Sequence, residues 1–72
     1  KAIKIIHGHG TGALKKGVRE WCDYQEGRFQ GVIYGEDYSL FNPLASNMRA
    51  DCGSPNDPDL ERKNGAITYI WL

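Results

Sequence analysis

The sequence predicts an α/β domain, and three stretches carry that prediction. Residues 2–6, Ala-Ile-Lys-Ile-Ile, are a near-continuous β-branched run. Residues 13–24 repeat apolar side chains at helical spacing, and residues 66–72 alternate them at strand spacing. The order that results is strand, loop, helix, strand, excursion, strand.

The first run suits a strand buried on both faces, as in a mostly parallel sheet. Lys4 interrupts it and is expected to reach an edge. A loop of three alternating glycines follows, His7-Gly8-His9-Gly10-Thr11-Gly12. Thr11 is the expected N-cap of a helix over Ala13 to Tyr24. Leu14, Val18, Trp21 and Cys22 form one apolar stripe on it. Lys16 and Glu20 stand one turn apart and can pair. Gly17 reads as a close approach of helix to sheet, and Gly27 as the stop.

Gly31 to Gly35 is a second strand bounded by glycines. The excursion from Glu36 to Asn64 holds all three prolines and six of the nine acids. Asn42-Pro43 signals an N-cap and first helical residue, for a short helix to about Ala50. Asn56-Asp57-Pro58 repeats the signal before Asp59 to Lys63. A structureless loop of this length is unusual in a compact domain, so Tyr38, Leu40, Phe41, Leu44 and Met48 are expected to anchor it. The last stretch, Ala66 to Leu72, is the clearest strand and is apolar on both faces.

Seventy-two residues make one small domain at most, and 40% hydrophobic content with eight aromatic residues is enough for one core. The chain opens on a strand without Met, which suggests an excised portion of a longer protein. No signal peptide and no membrane-spanning run is evident. Cys22 and Cys52 read as two reduced thiols of a cytoplasmic protein. Neither a C-x-x-C nor an H-x-x-x-H spacing joins them to His7 and His9, so no metal ligand is assigned.

Net charge is zero, yet it is unevenly spread. Residues 1–19 hold Lys1, Lys4, Lys15, Lys16 and Arg19 with no acid, a local +5. The remainder sets nine acids against four cations, a local −5. Such asymmetry points to an anionic partner at the glycine loop. The loop also places backbone N–H groups at a helix N-terminus, a ready anion cradle. It is not the dinucleotide fingerprint, because the third glycine comes one residue early, and no Walker-type Gly-Lys-Ser/Thr follows. No nucleotide cofactor is therefore expected. What remains suits a phosphate of DNA or RNA held by Gly8, His9, Gly10, Thr11 and Gly12 with Lys15, Lys16 and Arg19. His7 is the candidate general acid or base beside that phosphate; its plainer role is to cap the strand end by bonding the backbone.

Residues 4–20, from Lys4-Ile5-Ile6-His7-Gly8-His9-Gly10 to Val18-Arg19-Glu20, resemble the central motif of the Smr (small MutS-related) domain. That family carries H-G-x-G-x-G between a strand and a helix. The closing Gly65-Ala66-Ile67-Thr68 is similar to its last strand. The resemblance implies a small two-layer α/β sandwich, a mixed sheet with helices on one side, similar to the C-terminal domain of bacterial translation initiation factor three. It also implies nucleic-acid binding and, in many members, endonuclease activity. His7, Gly8, Gly10 and Gly12 fall on motif positions, and His9 on a variable one. The family's Asp-x-His strand does not occur here: in a complete chain half of the cleavage site that the resemblance implies is absent, and in a fragment the site is split, with a first strand and helix ahead of this portion.

Two functions follow as expectations. The first is a DNA- or RNA-nicking module with His7 in proton transfer. The second is a non-catalytic module that docks on nucleic acid or the ribosome through the same loop. A structural domain with Tyr69 and Trp71 at an interface is a third reading. Glu36, Asp37, Asp57, Asp59 and Glu61 offer carboxylates to a divalent metal, though a solvated acidic face is the plainer reading of them.

Overall fold

A computed structural model describes all 72 residues. The elements are β1 (Ala2–Ile6), α1 (Ala13–Tyr24), β2 (Gly31–Tyr34), a single 3-10 turn (Gly35–Asp37), α2 (Pro43–Asp51) and β3 (Ile67–Trp71). The predicted α/β class is what the chain forms. No helix is long and apolar enough to cross a membrane.

The sheet has three strands in the order β1-β3-β2, and both pairings are antiparallel. This corrects the expected mixed sheet. The last strand is central, and β1 and β2 are parallel only across it. Ala2 lies opposite Trp71 and Ile6 opposite Ile67, while Gly31 also faces Trp71 and Tyr34 faces Thr68. All of Ile67 to Ile70 is buried, as its two apolar faces require. Tyr69 is therefore inside the fold, and the Trp71 indole donates to Asp51 at 2.9 Å. β1 is an edge strand with neither face fully covered, and Ile3 and Ile6 are exposed. A β-branched run reports strand propensity but not the number of neighbours a strand acquires.

Alternation along β2 and β3 divides the sheet into two faces. Ile33, Ile67 and Tyr69 occupy one face and meet Tyr38, Ala45 and Met48 in the core. Met48 and Ala45 bring α2 onto this face, and Leu44 packs beside Gly31. Tyr34 and Thr68 point to the other face, where Arg19 of α1 stacks on the Tyr34 ring at 3.8 Å. The helices are thus shared between the two faces rather than gathered on one.

Local signals explain most boundaries. α1 spans the expected residues, but Gly12 in the left-handed region (φ 85°) is its N-cap rather than Thr11. The Thr11 hydroxyl accepts only a long 3.4 Å bond from the Ala13 N–H. α1 ends at Tyr24 on a Gln25 cap, before Gly27. Only Cys22 of its apolar stripe is buried, and Leu14 and Trp21 stay 63% and 50% exposed. Gly17 faces open space, so it marks no close approach to the sheet.

α2 begins as its sequence signals. The Asn42 side chain accepts from the Leu44 and Ala45 N–H groups, and Pro43 takes the first helical position. Tyr38 and Met48 anchor the excursion as expected, whereas Leu40 and Phe41 are exposed. Asp59 to Lys63 forms turns instead of a helix. Asp57 does not cap a helix there: its Oδ1 accepts from the Asp59 N–H and from Lys4 Nζ, both at 2.9 Å. Glu61 and Lys63 then take left-handed φ values of 68° and 53°, which no helix tolerates.

Two glycine substitutions test this account in opposite directions. Gly17→Ala is expected to stabilise by about 1 kcal/mol, because it removes only a helix penalty. That corresponds to a rise of about 4–8 °C in Tm for a domain of this size, read by circular dichroism. Gly35→Ala is expected to abolish the cooperative transition, since its methyl would fall 2.0 Å from the Asn64 carbonyl oxygen.

Candidate functional site

The glycine loop leaves the end of β1 and is tied down at its start. The His7 and Gly8 N–H groups both donate to the Ala66 carbonyl at 3.0 Å. His7 itself is only 9% exposed. Its Nδ1 lies 3.0 Å from the Gly8 carbonyl oxygen, which can only accept, so Nδ1 carries the proton. Its Nε2 lies 3.0 Å from Thr68 Oγ1 and then accepts from that hydroxyl. Both ring nitrogens are engaged, and the imidazole joins the loop to the fully buried centre of β3.

Beyond His7 the backbone turns left-handed at every second residue, with φ of 77° at Gly8, 43° at Gly10 and 85° at Gly12. Only glycine adopts such values without strain. The Gly12 N–H closes a turn on the His9 carbonyl at 2.8 Å, and the Lys16 N–H begins α1 on the Gly12 carbonyl at 2.9 Å. The N–H groups of His9, Gly10, Thr11, Leu14 and Lys15 have no acceptor within the chain. Five unpartnered donors thus lie on one loop and the following first helical turn, a place where an anion can be held.

The cationic side chains are placed less simply than their sequence grouping suggests. Lys4 pairs with Asp57 at 2.9 Å and Asp59 at 2.5 Å. Arg19 bonds Glu36 while stacked on Tyr34, and its Nε is buried without a partner. Lys15 shares Glu36 at 3.9 Å, and Lys16 meets Glu20 at 3.8 Å on the exposed face of α1. The local +5 is thus largely balanced by carboxylates from α1 and the excursion. Lys15 and Lys16 remain near the start of α1, whereas Arg19 holds the helix to the sheet.

The same contacts account for the excursion's acids. Asp57 accepts from Lys4, the Asp59 N–H and the Tyr69 hydroxyl, so it is an internal partner rather than a solvated charge. Asp59 accepts from Lys4 and Asn64, and Glu61 accepts from the Leu40 N–H. No three His, Cys, Asp or Glu side chains converge on one point.

His9 is exposed on the outer side of the loop. Gly65 lies beneath it. A Cβ on Gly65 would come 2.9 Å from Lys15 Nζ and 3.8 Å from His9 Cε1. Glycine at this position therefore lets a lysine and an imidazole lie together over the start of β3. From here an open groove of about 560 Å³ runs between His9 and the turn at 58–65, bordered by Arg62 and Lys63. Arg62 and Lys63 were not among the residues singled out from sequence, because they sit in an acid-rich segment where their charges are outnumbered.

Residues 1–32 match the Smr domain family model. The matched stretch holds β1, the glycine loop, α1 and the start of β2. The excursion and β3 lie outside it. No curated protein and no solved structure matches the chain. The match covers the portion that contains the glycine loop.

Titration links the acids to stability. Burial pushes the Glu36 carboxyl up, but its own backbone N–H, Arg19 and Lys15 outweigh this and hold it below its usual range. Burial also raises Asp57, and the Asp59 N–H, Lys4 and Tyr69 more than offset it. Bonds from Lys4 and Asn64 lower Asp59. These carboxyls bind protons more weakly when folded, so their contribution is full above about pH 4 and is lost as pH falls through the lowered values. Lys4 is raised by its bond to Asp59, so its contribution holds below its ordinary value of 10.5 and is lost as pH rises past the raised one. Melting followed by circular dichroism is expected to show a Tm that drops steeply below about pH 4. Lys4→Met lowers the neutral-pH Tm and shrinks that acid drop, because the aspartates return toward their usual values.

Proposed function

We propose that this chain is a nucleic-acid-binding domain that holds a backbone phosphate in its glycine loop. The five unpartnered N–H groups of His9, Gly10, Thr11, Leu14 and Lys15 carry this reading. A phosphate oxygen is the acceptor such a cradle suits, and the positive end of α1 adds to the attraction. The match of residues 1–32 to the Smr domain supports nucleic acid over a free anion. Gly8, Gly10 and Gly12 set the cradle's curvature. Thr11 and His9 flank the phosphate, and Lys15 and Lys16 add charge at short range. Arg19 acts through the placement of α1. His7 is a positioning residue that locks the loop to Thr68.

Hydrolysis of the phosphodiester of DNA or RNA is a second reading, favoured by the same family match and by an imidazole at the base of the cradle. It asks His7 to exchange its bond with Thr68 or Gly8 for one with substrate, a rearrangement that an unliganded site does not forbid. Binding without cleavage asks for no rearrangement and is the reading preferred here.

Labelled single-stranded RNA and duplex DNA, followed for binding and cleavage together, separate the two. The expected result is binding that weakens steeply with salt and no cleavage. Gly10→Ala is expected to keep the fold, since nothing lies within 4 Å of its Cβ, and to weaken binding because φ there is 43°. Cleavage that disappears in His7→Ala while binding survives would transfer the assignment to the nuclease reading. Absence of binding to either nucleic acid would overturn both.

A further inference from the structure

We propose that the turn of residues 58–65 is a second phosphate-binding element, with Arg62 and Lys63 as its cationic side chains and His9 joining it to the glycine loop. The proposal rests on the phosphate-cradle reading and extends it: one strand of nucleic acid is gripped across neighbouring phosphates, one in the loop and the next in the groove.

Charge accounting is the first argument. The four cations Lys4, Lys15, Lys16 and Arg19 each have a carboxylate within 4.0 Å. Arg62 and Lys63 have none. They are also exposed. The Lys1 side chain, Arg28 and Arg49 have no carboxylate either, but of these five cations only Arg62 and Lys63 border the groove beside His9.

Shape is the second. The groove is bordered by His9, Asp59, Arg62, Lys63, Asn64 and Gly65, with Pro58 at its side and no large hydrophobic residue in its lining. Asp59 would repel a phosphate if it were free. Its Oδ2 is held by Lys4 and its Oδ1 by the Asn64 amide, so its charge is already countered. His9 of the glycine loop and Gly65 both border the groove, and the Lys15 ammonium lies close to Gly65, so the groove begins beside the loop.

Preorganisation is the third. The Leu60 and Arg62 N–H groups close turns on the Asp57 and Asp59 carbonyls, and the Glu61 N–H donates to Tyr38. The Glu61 side chain accepts from Leu40, and Asn64 Oδ1 accepts from the Ala66 N–H. Left-handed φ at Glu61 and Lys63 is held in place by these bonds. A turn fastened this way spends little ordering entropy when a ligand arrives, so two exposed side chains suffice to contribute.

The test uses the 72-residue chain, a short labelled single-stranded RNA and its DNA counterpart. Binding is measured across a salt series for wild type and for Arg62→Gln/Lys63→Asn. Asparagine is chosen at Lys63 because it accepts left-handed φ. Circular dichroism confirms that the variant folds. Loss of two single-strand phosphate contacts makes the slope of log K against log salt shallower by about 1.4. Between 50 and 200 mM salt this shrinks the loss of affinity about sevenfold. Amide shifts of the labelled protein on adding the unlabelled RNA are mapped in parallel.

The expected outcome is the shallower slope, with shifts in both the 8–15 and 58–65 stretches. An unchanged slope with shifts confined to 8–15 overturns the second element and leaves the glycine-loop cradle standing. Shifts confined to 58–65 with a shallower slope support phosphate binding by the turn and overturn the glycine-loop reading. No shifts in either stretch overturn both.

Discussion

The pairing of Lys4 with Asp57 and Asp59 is the contact on which the rest of the structure depends. It is an ion pair across more than fifty residues, between the edge strand and the far side of the excursion. Asp57 carries the link inward to the Tyr69 hydroxyl on the central strand. Tyr69 in turn stacks on Tyr38 with ring centres 4.0 Å apart, which fastens the start of the excursion. Asp59 carries the link outward to Asn64, and so to the first residues of β3. Remove this knot and the excursion loses its seat on the sheet, together with the turn that borders the groove. The pair is partly buried, so the attraction is less diluted by solvent than in a surface bridge.

Much of the fold was legible in the residues themselves. α1 is delimited by its apolar spacing and by the glycine before it, and α2 by the Asn-Pro start whose side-chain bonds are local. β3 is recognisable as a strand covered on both faces. What escaped is whatever depends on pairing over long distances. Strand direction is one case, since a β-branched run is equally at home in parallel and antiparallel sheets. Another is the anchoring of the excursion. Leu40 and Phe41 look as apolar as Tyr38, yet only Tyr38 finds a partner on the sheet face. Asn56-Asp57-Pro58 imitates a helix start, but Asp57 is drawn to Lys4 and Tyr69 instead.

The candidate site divides along the same line. The left-handed turns of the loop are readable because alternating glycines between a strand and a helix leave few options for the chain. The electrostatics are not readable, because charges grouped in sequence need not be grouped in space. The basic first nineteen residues are largely neutralised once Glu36, Asp57 and Asp59 reach them. Arg62 and Lys63, outnumbered by acids in their own segment, are nonetheless left without a carboxylate beside the groove. A net count over a window would find neither result. The cue available in the sequence was an Arg-Lys pair placed two residues before the glycine that opens the last strand.

The position of β3 carries a consequence for how the protein comes into being. Both other strands pair with β3 and not with each other, so none of these three strands has a sheet partner until β3 has been synthesised. The glycine loop waits as well, because its tethers are the Ala66 carbonyl and the Thr68 hydroxyl. A growing polypeptide that already displays β1, α1 and β2 has their apolar side chains and no sheet to receive them. Assembly is therefore all-or-none and late, governed by contacts between distant parts of the chain, which slows folding and prolongs exposure of unpaired strands. The same arrangement couples the loop to the sheet: the tethers that fix the glycine loop and the core around β3 form in a single step.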